Sequence, residues 1–457
     1  MTVAGIPADD LRDICARAIA DLDIAGAQAA VMVGEDIVAT SVGIANVDLG
    51  TPVTDDTIIQ IGSTTKVYTA LLMMQLADRG LVDIDAPVTD YLPDVQLAST
   101  GDWRSITPRH LMSMSSGLDN GPYTDTGVSD DTVQRYVDLI ASIPLHFAPG
   151  SSYGYSNAST VVSGLIIERV TGMTWDDALL KNLLEPAGLR ESVTHFARLP
   201  YFRVGVGRFP GEDHVFPKWT FGRGTGPAGS TLATTASDLA LFGRIFLRKG
   251  LAQDGTRILS EEAVETIQTP QVGVPSRVFA QDWCVGPYRK QWGETSVWGH
   301  SGTTKNGSST LLWIPEYDIS IATIVNTPPR GYPFADAVFD AVLRDRFGIA
   351  KPGRPSPGSF GPVDVEPYLG RYAAWGLSYD VTHEGEDLVV TLNQHVENDP
   401  AGELEEPVRS VLRPIAPHRF FPENDAITSF HTWDLAFAVD DGPATLLHNG
   451  AFTAPRV

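Results

Sequence analysis

The chain has almost no cysteine: Cys15 and Cys284 are the two in 457 residues. No Cys-x-x-Cys and no Cys/His ligand spacing occurs, which argues against a zinc site. One disulfide is the most the pair allows. Two reduced, buried thiols in a cytoplasmic protein are the expectation. Positive charge is also scarce, with 33 Lys and Arg against 56 Asp and Glu and a net charge of −23. A protein that neutralises phosphates needs a basic stripe, and none is visible, so neither nucleic acid nor an anionic membrane is an expected partner. The acidity reads as a solubility feature. Long apolar runs are missing too: no stretch of about 18 apolar residues would span a bilayer. Residues 1–22 have no basic region, apolar block or small-residue cleavage site of a secretory leader. Leu11, Ile14, Ala18 and Leu22 instead mark one face of an amphipathic helix, and the expected location is cytoplasmic. There is no internal repeat and no low-complexity tract.

What is present is ordinary globular material, 43% apolar and 19% charged, in a chain long enough for two domains. Two strand-like runs, 29–33 and 37–42, turn at Gly34-Glu35. A helix follows Ser63, with Val67, Ala70, Leu71 and Met74 at helical spacing and Gly80 placed to stop it. Residues 161–171 and 175–184 read as helical, and Thr235-Ala-Ser-Asp238 as a capping box opening a helix that ends near Gly250. Short strands then follow at 296–298, 309–313 and 319–325, and a last helix at 334–347. Hairpin, helices, then antiparallel strands make an α+β unit over 1–350. Residues 351–362 hold four prolines and three glycines and form a linker. Residues 363–457 carry short alternating runs at 368–372, 377–382, 388–392, 405–414 and 431–439, with a hairpin turn at Glu384-Gly385-Glu386. They read as an all-β sandwich or small barrel.

The chemistry starts at Ile61-Gly62-Ser63-Thr64-Thr65-Lys66. At a helix start, positions i and i+3 share a face, so Lys66 can reach Ser63 Oγ. A serine hydroxyl is a weak nucleophile until a base takes its proton. A lysine serves as that base when desolvation lowers its pKa. Alone the motif is about as common as chance. Tyr155-Ser156-Asn157, just before a helix, adds a phenol that can shuttle a proton and an amide that can orient Lys66 or bind a carbonyl. His300-Ser301-Gly302-Thr303 follows a strand-like run; Gly302 permits close backbone approach, and the Thr303 N–H is a candidate oxyanion donor beside that of Ser63.

In order and spacing, these three motifs resemble the class C β-lactamases and related penicillin-recognising serine enzymes. The run Gly80-Leu-Val-Asp-Ile-Asp-Ala-Pro-Val-Thr-Asp-Tyr-Leu-Pro93 is similar to the family's segment after the serine helix. The runs 106–118 and 227–239 are similar to its Thr-Pro-x-His-Leu and Gly-Ser segments. The likeness spans roughly residues 8–348. It implies a serine β-lactamase-like domain, an antiparallel sheet flanked by helices with a helical subdomain. The tail then resembles a lipocalin-like barrel appended in some members. The resemblance also implies roles. Ser63 is the nucleophile, Lys66 and Tyr155 share the general base, and the Ser63 and Thr303 N–H groups hold the oxyanion. Asn157 holds the acyl-group amide, and His300 lines the site opposite Tyr155. No metal or organic cofactor is implied.

His300 departs from the Lys-Thr-Gly usual in β-lactamases and transpeptidases; a His-x-Gly is more usual in esterases, D-amino-acid peptidases and acyl-transferring relatives. The expected function is therefore a serine hydrolase or transacylase of peptide or secondary-metabolite esters, thioesters or amides. Its partners are an acyl donor and an acceptor, which is water, an amine or an alcohol. Three other readings stand beside it: a peptide-cyclising penicillin-binding-protein-type thioesterase with a carrier-protein partner, an esterase or weak β-lactamase, and a non-catalytic binding or sensor module. Elsewhere, His110 reads as structural, and His146, His195 and His214 have no partner spacing. Lys305 and Arg223 lie where they can meet a substrate carboxylate or remain solvated. Tyr123, Trp219, Phe221, Trp283 and Trp298 are candidates for an apolar pocket or for core packing.

Overall fold

The computed structural model describes residues 2–3, 5–95, 102–217, 222–358, 360–394, 406–424, 426, 434–439 and 442–457. The hairpin Gly26–Val33 and Asp36–Asn46 turns at Gly34-Glu35 and joins the late strands rather than standing alone. Strand Ile319–Val325 pairs antiparallel with Gly26–Val33, with Ile321 opposite Val31. Outward from there run Ser308–Ile314, Thr295–Thr303, Tyr288–Trp292 and two short strands, and Thr51–Pro52 pairs with Asp36–Asn46 at the other edge, giving nine strands among the described residues, all antiparallel. Strand Gly26–Val33 is buried at nearly every position, as a central strand covered on both faces must be. Helices Ala8–Asp21 and Gly331–Phe339 cover one face; Ala236–Leu247 lies across the other, on strands Ile319–Val325 and Gly26–Val33.

Helix Thr65–Asp78 is buried from Thr65 through Leu76, on every side. The apolar spacing at 67, 70, 71 and 74 marks only one of its faces. Helix Asn157–Thr171 packs against it in the helical subdomain. That helix is capped by Ser156, whose Oγ accepts from Ser159 N at 2.9 Å, and ends at Gly172 in the left-handed region. At Thr235 the expected capping box is half made: Thr235 Oγ1 accepts from Asp238 N at 3.2 Å, while the Asp238 carboxylate turns to Ser192 and Glu191 N.

The second sheet is an eight-stranded antiparallel meander from Gly370–Ala374 to Phe452–Pro455, in sequence order. A bridge between Tyr372 and Arg456 brings its first and last strands together, so the sheet is a nearly closed barrel. Tyr368, Tyr372, Tyr379, Val390, Phe420 and Leu447 fill it. The turn at 384–386 joins two of its strands as expected; residues 431–433 of the last expected run lie outside the described residues. Strands Arg419–Pro422, Leu446–Asn449 and Phe452–Pro455 were not apparent from alternation, being only four residues each. Cys15 and Cys284 are free and buried. Among the described residues no helix is long and apolar enough to cross a membrane.

Candidate active site

Ser63 sits in a 3₁₀ turn, Gly62–Thr64, directly before the buried helix that carries Lys66. Gly62 has φ +57°, and a Cβ there would lie 2.4 Å from Thr303 N. Gly302 is tighter: a Cβ would lie 2.0 Å from Ile61 O and 2.4 Å from Ser63 N. The serine turn and the strand Thr295–Thr303 therefore touch backbone to backbone, and only glycine at 302 admits that approach. Ser63 and Thr303 border one cleft together with Asn157, Ser230 and Tyr123.

Lys66 is 1% exposed, and none of the ion pairs among the described residues includes it. Its Nζ lies 2.6 Å from Asn157 Oδ1, 2.7 Å from Ala228 O and 3.0 Å from Ser63 Oγ. Burial pushes its pKa well below the ordinary lysine value. A neutral amine has two N–H bonds and one lone pair. Asn157 Oδ1 and Ala228 O can only accept, so they take both hydrogens, and the lone pair is left facing Ser63 Oγ.

Tyr155 immediately precedes the helix cap. Its hydroxyl is hydrogen-bonded to Ser63, and its ring lies beneath Lys66 Nζ, 4.8 Å from the centroid. Burial pushes its pKa up, and the Ser63 hydrogen bond opposes that rise without cancelling it. The phenol is therefore protonated near neutral pH. Trp283 stands edge-on to the Tyr155 ring at 5.5 Å and to His300 at 5.4 Å; it braces the two rings from the core rather than lining the cleft.

His300 is buried, 6.3 Å from Tyr155 between ring centroids, and stacked on Tyr288. Its Nδ1 meets Ser301 O at 2.6 Å, so this nitrogen carries the hydrogen. Nε2 then holds a lone pair, and among the described residues nothing meets it. Burial, followed by the proximity of Lys66, lowers its pKa to about 3. His300 is a neutral hydrogen-bond acceptor, not a cation for a substrate carboxylate.

Other sequence candidates separate clearly. Arg223 does not face the cleft. It is buried against Asp176 at 2.7 Å and Asp130 at 3.0 Å, and it also donates to Val128 O. Lys305 lies over the Phe216 ring. Trp298 donates to Gln268 O and packs in the core. Trp219 and Phe221 lie outside the described residues. His110 is structural as expected, closing a capping box with Thr107. His146 and His214 do have partners despite showing no motif: Asp119 at 2.8 Å and Asp48 at 2.7 Å.

Sequence reasoning missed three contributions. Ala228 supplies only a carbonyl, which leaves no side-chain signature. Tyr123, a candidate for an apolar pocket or core packing, borders the cleft, and its hydroxyl accepts from Asn157 Nδ2 at 3.2 Å and fixes which end of that amide faces Lys66. The barrel also reaches the site: Ala451 O accepts from Tyr155 N at 3.0 Å, and Thr453 Oγ1 donates to Tyr153 O at 2.9 Å.

Residues 11–344 match the family model described as Beta-lactamase. The chain is 32% identical over 360 residues to penicillin-binding protein 4 of Amycolatopsis lactamdurans, covering 77% of this chain and 94% of that one. It is 34% identical over 351 residues to esterase EstB of Burkholderia gladioli, covering 68% and 88%. The crystal structure of SurE superposes with a TM-score of 0.80 at 25% identity, covering 98% of this chain and 99% of that one, so the likeness takes in the barrel as well. The chain belongs to the Beta-lactamase family and is an enzyme of that superfamily, a serine hydrolase or acyltransferase.

Proposed function

We propose that the protein transfers acyl groups through an ester on Ser63 Oγ, taking ester, thioester or amide donors. One observation carries the reading: Lys66 Nζ spends both hydrogens on Asn157 Oδ1 and Ala228 O and turns its remaining position to Ser63 Oγ at 3.0 Å. Neutral Lys66 takes the Ser63 proton as Oγ attacks the acyl carbon. The oxyanion is held by Ser63 N–H and Thr303 N–H. Tyr155, a phenol at neutral pH, gives its proton to the leaving group. In the second half the phenolate takes a proton from the incoming nucleophile, and the Lys66 ammonium returns one to Ser63 Oγ. Each group ends as it began, as microscopic reversibility requires. Asn157 keeps a second N–H for the donor's amide carbonyl while Tyr123 holds the first.

The neutral His300 supports ester, thioester and amide donors over carboxylate-bearing β-lactams, and the esterase among the relatives supports the same class. The barrel's contacts with the Tyr155 loop support transfer or cyclisation beside hydrolysis, because they put apolar side chains next to the proton-transferring phenol. The test is intact-protein mass over time with an activated peptidyl ester and with a thioester. A transient acyl mass on wild type and none on Ser63→Ala is the expected result; turnover in Ser63→Ala would refute it.

A further inference from the structure

Two cavities meet at Tyr123. One is the Ser63 cleft. The other lies where the barrel joins the catalytic unit, and both Tyr123 and Tyr155 border it. From the catalytic unit it is walled by Leu118, Asp119 and Pro122; from the barrel by Trp375, Leu377 and Phe452. The Tyr123 hydroxyl accepts from Asn157 Nδ2 at 3.2 Å and from Asn120 Nδ2 at 3.4 Å, so one end of the ring is tied to the amide that orients Lys66. The ring stands between the two spaces.

We infer that the barrel-side cavity binds the acyl acceptor, that this acceptor is a primary amine bearing an apolar side chain, and that Tyr123 is the partition separating it from the acyl chain. The inference rests on the acyl-Ser63 reading above. Position comes first. The cavity opens on Tyr155, whose hydroxyl is bonded to Ser63, so a nucleophile held there approaches the acyl carbon beside the group that must take its proton. Lining comes second. Leucine, proline and aromatic side chains from both domains suit an apolar side chain and exclude bulk water. Charge comes third. The wall holds one carboxylate, Asp119, hydrogen-bonded by Gly121 N, Trp375 N and His146, and it holds no lysine or arginine. An acceptor carboxylate there would face Asp119 and, among the described residues, meet no lysine or arginine. In the reaction the amine nitrogen bonds to the acyl carbon and the C–Oγ bond breaks. The amine's proton goes to Tyr155, and Ser63 Oγ is reprotonated from Lys66.

The experiment loads Ser63 from an activated ester and measures the ratio of amide to acid released with phenylalanine amide, glycine amide or phenylalanine as acceptor. It uses the full chain as wild type, Ala374→Phe and Tyr123→Ala; Ala374 also borders the cavity. The ratio should saturate with phenylalanine amide and be at least tenfold lower with glycine amide and with phenylalanine. Ala374→Phe, which fills the cavity, should lower the phenylalanine-amide ratio at least tenfold. Tyr123→Ala should shrink the preference for phenylalanine amide over glycine amide to about threefold. An acyl mass on Ala374→Phe reports that it is folded; Tyr123→Ala, which also releases Asn157, is checked by circular dichroism, and the wild-type acceptor series needs no variant. Equal, non-saturating ratios for the three acceptors, or an Ala374→Phe ratio equal to wild type, would overturn the inference. So would an acyl-Ser63 that forms and is only hydrolysed, which leaves the acyl-enzyme reading intact. Absence of any acyl mass would instead strike that reading.

Discussion

Phe452 of the barrel stands edge-on to Tyr155 of the catalytic unit, ring centroids 6.0 Å apart and planes at 81°. The neighbouring Ala451 O accepts from Tyr155 N at 3.0 Å. A proton-transferring phenol is thus positioned from behind by a residue near the end of the chain. Aromatic pairs of this geometry are worth about 0.5–1.5 kcal/mol beyond their buried area. Phe452→Ala is expected to slow acylation about tenfold with little change in KM for the donor, because Tyr155 loses its brace while the cleft keeps its shape. Steady-state kinetics on an activated ester check this.

Lys66 must be neutral to accept the Ser63 proton. Its pKa is held well below 10.5 by burial, so activity should fall as pH drops through that lowered value and be full well below pH 10.5. His300, with a pKa of about 3, is neutral across the working range and contributes no limb. His300→Asn is therefore expected to change the rate but leave the acid limb of kcat/KM where it is. Lys66→Met should lower kcat/KM by about a thousandfold, within the usual range for a general base. A pH–rate series on the three proteins checks both.

Gly302→Ala is expected to lower kcat/KM at least a hundredfold. The added methyl would overlap Ile61 O and Ser63 N, so the serine turn and the Thr303 strand must part, and the two oxyanion donors separate. Loss of an oxyanion donor typically costs about 10²–10³ in kcat. Pre-steady-state acylation rates report it directly.

How much of this site could be read beforehand follows from how each contribution is encoded. Helical i, i+3 spacing lets Lys66 reach Ser63, but that motif alone is about as common as chance. The order and spacing of Ser63-x-x-Lys66, Tyr155-x-Asn157 and His300-x-Gly302, resembling the β-lactamase-like set, singled these residues out. The Ala228 carbonyl was not legible, because a backbone acceptor has no residue type. Tyr123 stood only as a candidate for pocket or core, because its phenol is used through Asn157, a partner distant in sequence. Arg223 looked available near the site, and only its buried partners Asp176 and Asp130 show otherwise. The hairpin, the serine helix and the late strands of the fold followed from periodicity; the shortest barrel strands, four residues long, did not carry enough alternation to register.

Asp119 ties the barrel to the catalytic unit, accepting from Trp375 N at 2.7 Å and pairing with His146 at 2.8 Å. Its pKa is lowered; burial, the largest influence, acts against that, and the His146 and backbone hydrogen bonds outweigh it. Asp119→Ala leaves buried donors unpaired, and a loss of about 2–4 kcal/mol is expected. Faster proteolysis in the 351–362 segment should accompany it, readable by denaturant titration and limited digestion.

Glu168 has its pKa raised to about 7, chiefly by burial, with Asp176 adding to it. A carboxyl group raised from 4.5 favours the folded state below pH 4.5, and that contribution is lost as pH rises through 7. Glu168→Gln keeps an acceptor for Trp175 N and removes the charge. Its melting temperature should exceed that of wild type at pH 8 and match it at pH 5; scanning calorimetry at the two values checks the sign.

Peptide mapping of protein quenched during turnover of an activated peptidyl thioester locates the acyl group proposed on Ser63. The added mass is expected on the peptide containing Ser63, absent in Ser63→Ala and accumulating in Tyr155→Phe, where deacylation lacks its proton acceptor. An acyl mass on any other residue, or turnover with no covalent intermediate in either variant, would contradict the proposal.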